Sequence, residues 1–128
     1  MEFTLEYEFS VAPDILYNGW LDSRTHSEMT GGESNIQPTK NKEFLAWDGY
    51  ISCKNLELVP NQLIKQSWRS SDFKKDQEDS ILELQFVSLG NNKTKLILKH
   101  SHLTDADMHY KQGWFDSYFI PMAEYFNQ

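Results

Sequence analysis

Residues 104–126, TDADMHYKQGWFDSYFIPMAEYF, decide the fold of this chain because they predict one long aromatic helix. Thr104 is a favourable N-cap residue, and Asp107 three positions later can complete a capping box. Large apolar side chains then recur at spacings of three and four residues, which places them along one helical face. The members of this apolar stripe are Phe115, Tyr118, Phe119, Met122 and Phe126, and Trp114 and Tyr125 widen it.

Two residues within this segment disfavour a helix. Gly113 costs about 1 kcal/mol relative to alanine in a helix interior, and Pro121 costs about 3 kcal/mol through its missing amide and its ring clash. Burial of each large apolar side chain returns roughly 1.5–3 kcal/mol, so five of them outweigh both penalties. The sequence therefore predicts a helix that is kinked near Pro121 and needs a broad apolar surface to pack against.

The start of the chain predicts one strand followed by two short helices. Residues 3–9 alternate apolar and polar side chains, the period of a half-buried strand. Pro13 suits the first position of a helix that ends near Asp22. Residues 23–30 predict a second short helix, which Gly31 and Gly32 end.

The middle of the chain predicts a run of antiparallel strands. Residues 43–47 and 50–59 flank Asp48 and Gly49, a two-residue hairpin signal, and Pro60 and Asn61 then turn the chain into a strand at 63–69. The charged residues 71–79 predict an exposed loop. Residues 80–89 and 93–102, joined by 90–92, form the clearest pair of strands. This order predicts an α+β domain over residues 1–128, with a curved antiparallel sheet wrapped around the long C-terminal helix.

Composition excludes several classes of protein. The net charge of −7 disfavours binding to a phosphate backbone, so we expect no nucleic-acid partner. The single Cys53 allows no internal disulfide, which suits a reducing compartment, and no apolar stretch approaches membrane length. These features predict a cytoplasmic protein without a membrane span.

The candidate chemistry is sparse. His100 and His102 lie two residues apart on one predicted strand face with Leu96 and Leu98, but no third metal ligand accompanies them. No nucleophile motif or phosphate-binding glycine loop is present. We therefore predict no metal, no cofactor and no catalytic residue, and nothing in the chain requires an enzyme.

A group of side chains on the inner sheet face predicts a pocket. The strand that carries Ile64, Gln66 and Trp68 on one face would meet the long helix there. The predicted ligand-binding residues are Gln66, Trp68, Leu84, Phe86, Leu98, His100, Tyr118 and Met122. Two interpretations stay open, because these side chains either fill the space as core or surround a cavity in which polar groups need partners.

Four stretches carry a family resemblance. They are APDILYNGWLDSRTHSEMTGG at 12–32, LELVPNQLIKQSWR at 56–69, LILKHSHL at 96–103 and YKQGWFDSYFIPMAEYF at 110–126. In this order they resemble the START-like or Bet v-like (SRPBCC) superfamily of helix-grip domains, over nearly the whole chain. Within it, the chain resembles the activator of heat-shock protein 90 ATPase homologue (AHSA-like) family, in particular the C-terminal domain of its eukaryotic co-chaperone.

The resemblance implies a helix-grip fold with His100 pointing inward between sheet and helix. Three functions are considered, in this order. The aromatic stripe with His100 and Gln66 nearby favours a non-enzymatic module that binds a small apolar or amphipathic ligand or a protein partner. The resemblance implies a stress-response co-chaperone of heat-shock protein 90 and, through the wider superfamily, an enzyme using the same cavity. The co-chaperone's separate N-terminal domain has no counterpart in these residues, so we do not expect full ATPase activation from them.

Overall fold

The computed structural model describes residues 1–126, and its centre is a six-stranded antiparallel sheet. The strands are β1 (Phe3–Phe9), β2 (Glu43–Ala46), β3 (Ile51–Val59), β4 (Leu63–Ser70), β5 (Ser80–Gly90) and β6 (Lys93–Ser101). Their spatial order is β1-β6-β5-β4-β3-β2, so β2 to β6 form a meander and β1 lies beside β6. The predicted α+β fold class is confirmed.

Two short helices fill the connection between β1 and β2, as predicted. Helix α1 (Pro13–Leu21) has its proline in the first turn, and helix α2 (Ser23–Thr30) follows after one residue. The carboxylate of Asp22 accepts a hydrogen bond from the amide of Thr25 at 2.9 Å and so caps α2. Gly31 ends α2 in the left-handed conformation with φ of 85°, which costs glycine little.

The C-terminal segment is helical but less regular than predicted. The capping box of Thr104 and Asp107 is present, but it encloses only a 3₁₀ turn (Asp105–Asp107). The helix consists of α3 (Tyr110–Trp114), a π-helical turn (Phe115–Phe119) and α4 (Ile120–Phe126), and we call residues 110–126 the C-terminal helix.

The irregularity expected near Pro121 takes the form of this π-helical turn. The amide of Ile120 donates to the carbonyl of Phe115, five residues earlier. Proline has no amide to continue the usual ladder, so a change of hydrogen-bonding register directly before it sacrifices little. The aromatic residues of the turn therefore take positions that a regular helix would not give them.

The prediction of a two-residue hairpin at Asp48 and Gly49 is wrong. Ala46 pairs with Ile51, so four residues connect β2 and β3, and three of them, Trp47, Asp48 and Gly49, have φ of 52°, 58° and 92°. The wider loop arises because the indole of Trp47 packs against Gly32. A Cβ atom on Gly32 would lie 2.5 Å from the Trp47 ring.

The placement of His102 on the inner face is also wrong. Strand β6 ends at Ser101, and His102 is exposed with a left-handed φ of 59°. The change of backbone conformation turns the chain out of the sheet before Thr104, so His100 is the last residue of β6 that faces inward. His100 and His102 therefore do not lie on the same face of the sheet.

The core lies between the inner sheet face, helices α1 and α2, and the C-terminal helix. Alternate residues of the central strands are fully buried, including Ile64, Leu82, Leu84, Leu96 and Leu98. Phe119 and Met122 of the C-terminal helix are likewise 0% exposed. No helix within residues 1–126 is long and apolar enough to cross a bilayer.

Candidate ligand cleft

An apolar cleft of about 330 Å³ opens where the β2–β3 loop and the start of β3 face the C-terminal helix. We call it the aromatic cleft, because seven of its ten lining residues carry an aromatic ring. The lining residues are Trp47, Tyr50, Ile51, Trp68, His109, Tyr110, Gly113, Trp114, Ser117 and Tyr118. Its volume lies at the lower end of the range for pockets that bind small molecules.

The aromatic cleft has two ends, each set by contacts between the sheet side and the helix side. At the more exposed end, the ring of Trp68 meets Tyr110 edge to face, with centroids 4.9 Å apart. At the other end, the Trp47 and Tyr118 rings are 6.3 Å apart, again edge to face. Tyr50 and His109 are exposed at the first end, whereas Trp47 and Ser117 are half-buried.

Trp47 is held in an unfavourable backbone conformation. Its φ of 52° is rare for a bulky residue and costs on the order of 1–3 kcal/mol. The contact with Gly32 holds the indole in place as a wall of the cleft. The indole nitrogen of Trp47 is buried and reaches no hydrogen-bond partner within residues 1–126.

His100 lies beside the aromatic cleft rather than in it, and its hydrogen bonds define its tautomer. The indole N–H of Trp114 donates to Nδ1 of His100 at 3.1 Å, so the ring proton sits on Nε2. Nε2 donates to Oγ of Ser80 at 2.8 Å, and that hydroxyl donates to the Trp68 carbonyl at 2.6 Å. Both ring nitrogens are therefore occupied by protein groups.

Burial lowers the pKa of His100 to about 4, although the nearby Asp107 carboxylate acts in the opposite direction. The imidazole is neutral at physiological pH, which matches its role as both acceptor and donor in this chain of hydrogen bonds. The network connects β4, β5 and β6 to the C-terminal helix and leaves no polar atom of His100 for a ligand.

His26 forms a second buried site with Tyr118. Nδ1 of His26 donates to the Trp20 carbonyl at 2.8 Å, so Nε2 accepts from the Tyr118 hydroxyl at 3.2 Å. Burial lowers the pKa of His26 to about 4 and raises the pKa of Tyr118. The indole N–H of Trp47 lowers the pKa of Tyr118 by a smaller amount, because it favours the phenolate, although it forms no hydrogen bond within residues 1–126.

The structure separates the eight predicted ligand residues into two groups. Trp68 and Tyr118 line the aromatic cleft. The others are packed in the core without lining it: Gln66, Leu84, Phe86, Leu98, His100 and Met122. Gln66 has its own partner, because its amide donates to Asn55 at 2.8 Å. As ligand contacts, all eight residues stay predictions.

The sequence predicts none of the remaining cleft residues as ligand contacts. It predicts Gly113 as a cost to the helix that also shapes the lid of a pocket, Trp47 as the end of a strand, and Trp114 only as a residue that widens the apolar stripe. The spacing of His109, Gly113 and Ser117 at intervals of four is the signal that could have revealed this helix face. Within residues 1–126, no three His, Cys, Asp or Glu side chains are arranged to hold a metal ion.

The sequence matches the protein family described as "Activator of Hsp90 ATPase homolog 1-like protein" over residues 7–127. No curated protein matches the chain by sequence.

Solved structures from several organisms have a similar fold. An HSP90 activator from Plasmodium falciparum, PFC0360w, has a TM-score of 0.81 and 21% identity, covering 94% of this chain and 91% of that one. Protein MLL2253 from Mesorhizobium loti has a TM-score of 0.79 and 15% identity, with coverages of 97% and 95%. The Aha1 dimer from Colwellia psychrerythraea has a TM-score of 0.79 and 12% identity, with coverages of 99% and 94%. At these identities the likeness concerns the fold.

Proposed function

This chain belongs to the family of Activator of Hsp90 ATPase homolog 1-like proteins, and from that premise we propose that it is a non-enzymatic binding module for a small apolar or amphipathic ligand. The family resemblance read from the sequence is thereby confirmed. The observation that carries the proposal is the aromatic cleft of about 330 Å³ between sheet and C-terminal helix.

The energetics of the cleft favour an apolar occupant. Aromatic walls lose contact with water when a ligand enters, and each Å² of buried apolar surface contributes about 25 cal/mol. The walls are largely fixed beforehand, because Trp68 and Trp114 are each at most 4% exposed and packed against the His100 network. A preformed site loses little conformational entropy when it binds.

The state of the buried reactive groups supports binding rather than catalysis. His100 and His26 use both ring nitrogens in protein hydrogen bonds, so neither has a free lone pair to act as a general base. Burial, with a smaller effect of Glu43, raises the pKa of the Cys53 thiol to about 12. A thiol of that pKa is a poor nucleophile at neutral pH.

The decisive experiment fills the cleft from the helix side. A Cβ atom on Gly113 would meet no atom within 4 Å, so Gly113→Phe should place a ring in the cleft without displacing the core. Native mass spectrometry of protein from its own cells should detect a bound small molecule in the wild type and in Gly113→Ala, but not in Gly113→Phe. No bound species in the wild type, together with no thermal shift from a panel of lipids and aromatics, would contradict the proposal.

A co-chaperone role is the second candidate, favoured by the family description and by the similar fold of an HSP90 activator. A row of alternating charges crosses the outer face of the sheet and could meet a protein surface. In the strand register, Glu57 lies opposite Lys65, Lys65 opposite Glu83, and Glu83 opposite Lys99 across β3 to β6. Such complementary charges set specificity and association rate.

This second candidate has a separate test. Charge reversal of Lys65 and Lys99 should weaken binding to heat-shock protein 90 of the same organism, whereas Gly113→Phe should leave that binding unchanged. A pull-down without enrichment of heat-shock protein 90, and no change in its ATPase rate, would remove the candidate.

A further inference from the structure

The helix side of the aromatic cleft presents two polar groups on either side of a glycine. His109, Gly113 and Ser117 are spaced four residues apart and all line the cleft. Nδ1 of His109 donates to the Ala106 carbonyl at 2.8 Å, which leaves Nε2 free. Neither Nε2 of His109 nor Oγ of Ser117 has a hydrogen-bond partner within residues 1–126.

Gly113 leaves space between these two groups. No atom of residues 1–126 lies within 4 Å of the position that its Cβ would occupy, so the helix backbone itself is the floor of the cleft. A flat ring can approach this floor closely, which a larger side chain would prevent. The opposite wall consists of Trp47, Ile51 and Trp68.

The separation of the two polar groups limits the length of a ligand that contacts both. His109 directly precedes the C-terminal helix and Ser117 lies in its π-helical turn, so the rise between their Cα atoms is at most about 12 Å, the value for eight residues of regular α-helix. A two-ring aromatic molecule with a polar atom at each end spans this distance once the two hydrogen bonds are added. Hydroxyl groups suit both positions. The unprotonated Nε2 of His109 can accept a hydrogen bond from a hydroxyl, and the hydroxyl of Ser117 can donate to one or accept from one.

Charge restricts the ligand further. None of the ten lining residues is Asp, Glu, Lys or Arg, so a formal charge on the ligand would lose its hydration without gaining a partner. The net charge of −7 adds general repulsion for anions. These conditions favour an uncharged molecule.

We infer that the aromatic cleft recognises a flat, uncharged, two-ring aromatic compound with a hydroxyl group at each end, read by His109 and Ser117 across Gly113. This inference rests on the proposed binding function. It makes Ser117 and His109 specificity-determining residues and Gly113 the residue that sets the depth of the cleft.

Isothermal titration calorimetry with naphthalene-2,6-diol, naphthalene and naphthalene-2,6-dicarboxylate tests the inference. The diol should bind roughly 25-fold more tightly than naphthalene, because it adds two neutral hydrogen bonds worth about fivefold each. The dicarboxylate should bind at least tenfold more weakly than the diol. Ser117→Ala should weaken diol binding about fivefold and leave naphthalene binding unchanged, which a general loss of structure could not produce.

Three results would overturn the inference. If Ser117→Ala weakens both uncharged probes equally, or neither, Ser117 does not read the hydroxyl. If the dicarboxylate binds as tightly as the diol, the cleft does not exclude charge. If no probe binds, this ligand class is wrong, and native mass spectrometry of the Gly113 variants still decides whether the cleft holds another ligand.

Discussion

The interior around His100 and the aromatic cleft share walls but differ in what they leave unused. Trp68 and Trp114 contribute to both regions. Around His100 both ring nitrogens have a partner, and the neighbouring side chains are buried. In the cleft, Oγ of Ser117 and Nε2 of His109 have no hydrogen-bond partner among the described residues, and Gly113 contributes no side chain. Aromatic residues near a histidine therefore do not by themselves identify a binding site. It is also necessary to know which of the polar groups already have hydrogen-bond partners within the protein.

The largest expected effect lies on the packed side. Phe119 is 0% exposed, and Phe119→Ala should lower the free energy of unfolding by about 3–5 kcal/mol because it leaves a cavity in the core. Urea denaturation measures this loss. The half-buried Phe115 provides the matched control and should lose less on the same substitution. A loss below about 1 kcal/mol at Phe119 would contradict the assigned orientation of the helix.

The buried histidines should make the packed side sensitive to acid. The pKa of His100 is about 4 in the folded protein and about 6.5 in the unfolded chain, so the unfolded chain binds more protons between these values. Stability therefore falls as the pH decreases from about 6.5 to about 4, by roughly 3 kcal/mol for this histidine. Denaturant unfolding over this range should show a shallower pH dependence in His100→Asn. Equal dependence in both proteins would mean that His100 is not buried as a neutral ring.

The wall at Trp47 should show an intermediate effect. Gly32→Ala places a methyl group 2.5 Å from the Trp47 ring, so the indole must move. Overpacking of this kind costs about 1–3 kcal/mol. The thermal midpoint should fall, and the tryptophan fluorescence should change with it. Gly31→Ala is not a suitable control because Gly31 needs its left-handed φ; an unchanged midpoint in Gly32→Ala would show that Trp47 does not rest on Gly32.

The smallest expected effect has the opposite sign and lies in the cleft. Gly113→Ala should raise the free energy of unfolding by up to about 1 kcal/mol, because alanine is the better helix former and its methyl group meets no neighbour. Equilibrium denaturation measures this gain. Destabilisation by the added methyl group would show that the space over Gly113 is filled.

Local sequence patterns were sufficient for the elements of this fold. Alternation predicted β1, the stop signal at Gly31 and the capping signal at Thr104 marked real helix ends, and the asparagine at position 61 takes the left-handed conformation that its turn requires. The aromatic spacing predicted that Phe119 and Met122 face the core. These features depend on neighbours in the chain, which a sequence displays directly.

The cleft depended on contacts that the sequence does not display. Trp47 forms a wall of the cleft because its indole packs against Gly32, which follows α2 and belongs to a different predicted element from Trp47. The π-helical turn changes which residues of the C-terminal helix share a face, and a change of backbone conformation at His102 ends the strand pattern one residue early. The sequence predicts that Gly113 shapes the lid of a pocket but not that it leaves open space in a cleft, because the space beside a glycine depends on neighbours that are distant in the sequence.

The four tryptophans allow the most direct test of whether ligands enter the cleft rather than the packed interior. Trp47, Trp68 and Trp114 line the cleft, whereas Trp20 lies outside it and stacks on Tyr118 with centroids 5.0 Å apart. In a ¹H–¹⁵N NMR titration with naphthalene-2,6-diol, the indole signals of the three cleft tryptophans should shift while that of Trp20 stays in place. A shift confined to Trp20, or equal shifts of all four signals, would contradict a binding site in the cleft.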